Sequence, residues 1–245
     1  MSIETLATAA AARRDSVNSS FPLLPLWRIK GEIVLKSPLH IGTGAELSID
    51  LDEPSNDPAT ARTVIGVVRD SQGRPCIPGA SFKGALNELA RHTSGLDATR
   101  RQRLFGAAPA RDETVPAHLE IGYLYMTGSP PVGSGLPHFD VPAHRGVANV
   151  SHVARSRQLG TAEEGLLYLE QVVPPGCTFS FECTARGIAE TEVRALLSLL
   201  ALAGGPASML RLGAGKAADN GRIGWKLLEV RRIESLAALW TSLEP

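Results

Sequence analysis

Arg69-Asp70-Ser71-Gln72-Gly73-Arg74-Pro75-Cys76-Ile77-Pro78-Gly79-Ala80-Ser81-Phe82-Lys83-Gly84-Ala85-Leu86 is the stretch from which the rest of the chain is read. Asp70-Ser71-Gln72-Gly73 is a turn signal, and it follows a β-branched run, Val64 to Arg69, so a hairpin is expected here. Pro78-Gly79 breaks the chain a second time. Ser81 has the side chain of an N-cap. Phe82, Leu86 and Leu89 then recur at helical spacing, which predicts a helix from Phe82 to Arg91. A helix start offers free N–H groups and the positive end of the dipole, so it attracts phosphate. Lys83 in a first turn opposes that dipole, and an anion seated there would relieve the conflict.

Working outward, residues 27–36 alternate apolar and polar positions, with Trp27, Ile29, Ile33 and Leu35 on one face, and predict a half-buried strand. Ser37-Pro38 ends it, and Leu39 to Gly44 forms a glycine-rich turn. Residues 45–63 read as an acidic loop. Downstream, 97–105 predicts a basic helix and 119–126 a strand. Residues 127–150 hold four Gly and four Pro, which marks a long excursion such as a protruding thumb hairpin. Two strands, 165–173 and 177–185, flank Pro174-Pro175-Gly176 and predict a hairpin. Glu190 to Ala203 is an apolar helix, 211–224 is glycine-rich, and 223–232 is a last strand. The order strand, helix, strand, strand, strand, helix, strand predicts an α+β fold with a ferredoxin-like (RRM-like) core, a thumb hairpin insertion and loop insertions. The expected division is an N-terminal extension at 1–26, one domain at 27–232 and a tail or short helix at 233–245.

The chain has 245 residues, with 25 Lys and Arg against 25 Asp and Glu. A net charge of zero argues against a free-standing, non-specific nucleic-acid binder, but the charges are uneven. Residues 45–57 hold Glu46, Asp50, Asp52, Glu53 and Asp57 and no base, whereas 141–160 hold Arg145, Arg155, Arg157, His144 and His152 and no acid. Cys76, Cys177 and Cys183 are scattered and read as reduced, buried thiols. No apolar run reaches the ~20 residues that span a membrane, and the start, Met1-Ser2-Ile3-Glu4, lacks a basic, apolar signal. The expectation is a cytoplasmic protein with no membrane partner.

Three further motifs bear on chemistry. Glycines between Leu210 and Gly224 let backbone approach a ligand, and Lys216 and Arg222 flank Gly213 and Gly215 as candidate phosphate contacts; the pattern is neither a P-loop nor a dinucleotide fingerprint. Arg155 and Arg157 follow the excursion on a stretch suited to phosphate. The acidic stretch could hold a divalent cation or supply a general base, though without EF-hand spacing. The six histidines form no metal-ligand pattern, and no metal site is assigned.

In this order the segments LHIGTG at 39–44, RDSQGRPCIPGASFKGAL at 69–86, RLFG at 103–106, LEQVVPPGCTFSFE at 169–182 and RLGAGKAADNGRIG at 211–224 resemble the RAMP superfamily, in particular the repeating backbone subunit of type III CRISPR complexes. The resemblance implies copies stacked along a crRNA guide inside a type III-like ribonucleoprotein with other effector subunits, presenting the guide to target RNA. It further implies a thumb that kinks the guide, and RNA contacts at His40, Ser81, Lys83, Arg145, Arg155, Arg157, Gly213, Gly215, Lys216 and Arg222. Binding of that kind needs no cofactor. Many such subunits also cut target RNA with an Asp shortly before the strand leading to the "IPG" turn, in a reaction dependent on Mg²⁺ or Mn²⁺. The matching stretch, Thr60-Ala61-Arg62-Thr63-Val64, has no Asp, so the expectation is binding without slicing. The alternative is a metal-dependent target-RNA endonuclease using Asp50, Asp52 or Asp57. A third reading is a metal-independent, guide-processing nuclease with His40 as general base.

Overall fold

The computed structural model describes residues 24–50, 61–93, 95–107, 115–128, 146–155, 162–206, 209–215 and 219–234, with backbone alone for 45–50, 61–63, 151–155 and 162–169. The expected extension up to residue 23, most of the thumb and the C-terminal helix lie outside these residues.

Two sheets divide the strands. β1 (Leu26–Leu35) is central to the larger one and is antiparallel to β9 (Thr178–Arg186) on one side and β10 (Ile223–Ile233) on the other. Beyond β9 lie β5 (Leu119–Ile121) and β6 (Leu124–Gly128), and beyond β6 the short β4 (Cys76–Ile77). Two helices connect these strands, α1 (Gly79–Arg91) and α3 (Glu190–Gly204), and a third, α2 (Ala98–Phe105), follows α1. Read as β1, α1, β6, β9, α3, β10, with spatial order β10-β1-β9-β6, the core is the ferredoxin-like arrangement expected from the sequence.

The alternation of β1 sets the sides. Ile29, Ile33 and Leu35 are buried under the helices with Phe179, Phe181 and Cys183 of β9. From α1 come Phe82, Leu86 and Leu89, and from α3 Val193, Leu196 and Leu200. Phe82 meets Phe181 at 5.3 Å between ring centroids, and Phe181 meets Trp225 edge-on at 4.7 Å. A fully buried side chain such as Phe82, Phe179 or Ile33 is worth about 1.5–3 kcal/mol of burial.

The second sheet runs β2 (Gly42–Asp50), β3 (Ala61–Val67), β8 (Ala162–Val172), β7 (Ala148–Arg155), with β3 and β8 parallel. Four sequence expectations change here. Residues 45–50 and 61–63 are a strand pair, not an acidic loop: backbone pairing needs no apolar side chains, and Asp50 stands across from Ala61. The excursion begins and ends inside strands β6 and β7. The 119–126 strand is broken at Gly122-Tyr123. Strands β8 and β9 are not a hairpin. Gly176 N–H donates to Leu35 O at 2.8 Å and Leu35 N–H to Cys177 O at 2.9 Å, while Val173 pairs with Leu39. The turn is thus bonded to the end of β1 and carries the chain from one sheet to the other. The turn at 70–73 does form, with Asp70 N–H donating to Arg74 O at 2.8 Å, but it too links two sheets.

Candidate nucleic-acid interface

Two loops meet at the end of β1. The first, Lys36 to Ile41, leaves β1, and the second, Arg211 to Arg222, enters β10. Lys36 N–H donates to Arg222 O at 2.9 Å, Arg222 N–H to Ser37 Oγ at 2.8 Å, Gly221 N–H to Pro38 O at 2.8 Å and Ala214 N–H to His40 O at 2.9 Å. Gly213 has φ 71°, and a Cβ there would overlap His40 O, so both its conformation and its contact demand glycine. Only a chain rich in glycine closes these loops so tightly.

His40 is 5% exposed. Its ring lies between the Gln171 carbonyl, 2.6 Å from Nδ1, and Glu170 Oε1, 3.4 Å from Nε2. The carbonyl partner puts a proton on Nδ1. A ring so enclosed anchors the loop against β8; it is not presented to a substrate as a general base. Gln171 extends the chain of contacts, since Arg69 reaches its Oε1 at 3.5 Å and Gly73 O at 2.7 Å.

Arg211 and Arg222 face each other across the loop. Both guanidinium groups reach Asp219, at 3.1 and 3.2 Å. Asp219 has a positive φ, 63°, unusual outside glycine, and its carboxylate is 59% exposed. Arg222 Nε is buried and has no hydrogen-bond partner among the described residues. The loop therefore presents two cations bridged by one solvent-facing anion, at a place where the backbone bends closely.

The start of α1 differs from expectation. Pro78, not Ser81, is the N-cap: its carbonyl accepts from Ser81 N–H at 3.0 Å and Phe82 N–H at 3.1 Å. The proline ring holds the entry φ at −59°, and Gly79 fits where a Cβ would overlap Ile121 O. Ser81 is exposed at the third helical position, and no side chain caps the helix. Lys83 is the fifth residue, beyond the first turn. Its Nζ donates to Leu119 O at 2.7 Å. Desolvation by burial lowers its pKa, while Glu120 works the other way.

Strand register places these features apart. Lys83 meets Leu119, which is level with Ala185 and hence with Trp27 near the start of β1. Arg222 adjoins Ile223, level with Leu35. Eight residues of strand separate the two levels, roughly 26 Å at ~3.3 Å per residue. Asp50 and Arg155 both fall at the end of the second sheet remote from His40, on its opposite edge strands. Asp52, Asp57, Arg145, Arg157 and Lys216 lie outside the described residues. Among the described residues no group of three or more His, Cys, Asp or Glu is placed to hold a metal ion, and no helix is long and apolar enough to cross a membrane. Sequence reasoning missed Arg69, Gln171 and Asp219, which link the loops, and the exposed Tyr123 and Tyr125, which open alternation would have placed on one face.

Comparison with known proteins narrows the family. The family model described as the RAMP superfamily matches residues 32–223. No curated protein matches the chain. Among solved structures, it is similar to a chain of the type III-B Cmr-beta complex bound to cognate target RNA, with a TM-score of 0.52 and 12% identity over 95% of this chain. It covers 66% of that subunit, just under two thirds of its length. It is also similar to a chain of a type IV-B CRISPR complex, with a TM-score of 0.51, 14% identity, 83% of this chain and 90% of the other covered.

Proposed function

The chain belongs to the RAMP superfamily, and from that premise we propose that it is a guide-RNA-binding subunit of a CRISPR effector ribonucleoprotein. Copies multimerise along the crRNA and present it to target RNA, without slicing it. The observation that carries this reading is the pair of interlocked loops at the end of β1. Their backbone is closed by glycine, and Arg211 and Arg222 stand over it, an arrangement suited to holding phosphate by shape and charge rather than by base identity. The fold likeness to subunits of two CRISPR complexes supports the same setting. The missing Asp at 60–64 supports binding without cleavage.

Co-expression with a guide and the neighbouring subunits, followed by purification, tests this. A particle holding several copies of the chain and a protected RNA is expected. A particle free of RNA would refute the binding role. The same particle, given labelled complementary RNA with Mg²⁺ or Mn²⁺, leaves it intact. Evenly spaced cuts lost on Asp50→Ala, Asp52→Ala or Asp57→Ala would instead establish the endonuclease.

A further inference from the structure

On the larger sheet, the face turned away from α1 and α3 carries an aromatic pair that the loops at the end of β1 do not use. Tyr123 and Tyr125 are 56% and 43% exposed, with ring centroids 6.4 Å apart and planes tilted by 26°. Each contributes to two grooves. One, of about 460 Å³, is lined also by Arg69, Gln72 and Arg74. The other, of about 740 Å³, runs along β9 past Glu120 and Glu182. Tyr125 lies on β6 and Tyr123 at the break just before it, both about half exposed, and paired π-faces beside planar cations are the chemistry of base stacking.

We propose that Tyr123 and Tyr125 are a stacking platform for an unpaired RNA base, with the flanking phosphate toward Arg69 and Arg74. The proposal rests on the RNA-binding reading above and adds a second, base-contacting site to it. The kind of cation decides the orientation. The Arg69 side has two guanidinium groups against one carboxylate, Asp70, which Arg74 already pairs at 2.8 Å. The opposite groove has Lys30 against Glu120 and Glu182, and these acids are matched by Arg186 and Arg28. The first side offers planar guanidinium groups beside the rings, the second a single ammonium, Lys30, between two carboxylates. Position decides the rest. Arg69 reaches Gln171, and Gln171 holds His40, whose carbonyl holds the glycine loop. The platform is therefore joined to the proposed phosphate site by a chain of direct contacts through the buried Gln171 and His40. A groove of this volume is within the range of small-ligand sites, and stacking tolerates any base, as guide binding requires.

The test uses the full chain, a fluorescein-labelled oligouridine and an abasic oligonucleotide of equal length, followed by fluorescence anisotropy. Both tyrosines are about half exposed, so Tyr123→Ala and Tyr125→Ala should remain folded, which a Tm within a few degrees of wild type checks. The double alanine variant is expected to bind oligouridine about tenfold or more weakly, the double phenylalanine variant to bind like wild type, and all three proteins to bind abasic RNA alike. Equal oligouridine affinity for the double alanine variant and wild type overturns the platform while leaving the phosphate loops standing. Failure of the wild-type chain to hold any RNA defeats the broader reading as well. Unchanged RNA affinity with loss of co-purifying subunits would make the tyrosines a protein contact and likewise overturn the proposal.

Discussion

At the scale of single residues, two positions separate local from tertiary constraint. Alanine normally improves on glycine inside a helix by about 0.5–1 kcal/mol. Gly84 meets no atom within 4 Å of a built Cβ, so Gly84→Ala should raise stability by that amount. Gly79 sits in the same helix, but its Cβ would overlap backbone at Ile121 and Gly122. Backbone of a packed strand does not yield, and Gly79→Ala should cost about 1–3 kcal/mol. Calorimetry should show opposite Tm shifts, of roughly 2–4 °C per kcal/mol for a chain this size. Asp219 offers a test of a different kind. Its carboxylate occupies the space between Arg211 and Arg222 that a phosphate oxygen would take. Asp219→Asn keeps the shape, suits a positive φ and removes the competing charge. RNA should then bind several-fold more tightly in anisotropy titrations. Weaker binding would mean that Asp219 is needed to hold the arginines in place.

At the scale of elements, β9 shows how burial silences chemistry. Burial pushes the thiol of Cys183 up to about 12 and that of Cys177, just before the strand, up to about 11. Cys76 on β4 is raised as well, by burial first and Asp70 second. Thiolate is the reactive form, so the native chain should release no chromophore from Ellman's reagent near pH 8. All three free cysteines should react once guanidinium unfolds the chain. Rapid native labelling would show that one of these elements opens. The same elements mark what was legible in the sequence. Strands such as β1, whose two faces differ, announced themselves by alternation, and α1 and α3 by apolar spacing. The β2–β3 pair did not, because its acidic residues mask a pairing made by backbone. Nor did the β8–β9 crossing, because a Pro-Pro-Gly turn looks the same whether its flanks pair with each other or with different sheets. The N-cap is hidden from the sequence because Ser81 has the side chain of a cap, while Pro78 caps through its carbonyl alone. Of the candidate site, the glycine loop was recognisable, but its lock onto His40 was not. Those residues are more than 170 positions apart, and only the β1–β10 pairing brings them together.

At the scale of the whole molecule, charge predicts how binding should depend on salt. The chain carries equal numbers of acids and bases. In the structure many of its arginines are matched: Arg28 with Glu182, Arg74 with Asp70, Arg186 with Glu120, Arg194 with Glu190, and the loop pair with Asp219. Exposed pairs of this kind add little stability, but each lowers the positive potential offered to RNA. A single copy should therefore neutralise few phosphates. Affinity for a single strand falls with salt at a slope of about −0.7 per phosphate contacted, so two or three contacts imply a log–log slope of roughly −1.5 to −2. Stacking on Tyr123 and Tyr125 releases no counterions and would persist at high salt. The assembled particle, adding the contacts of many copies along one guide, should show a much steeper dependence and far tighter binding. Anisotropy titrations of the isolated chain across a salt series measure this directly. A slope steeper than about −5 for one copy would mean that its arginines leave their carboxylates for phosphate on binding. It would also mean that a neutral chain grips RNA by charge after all.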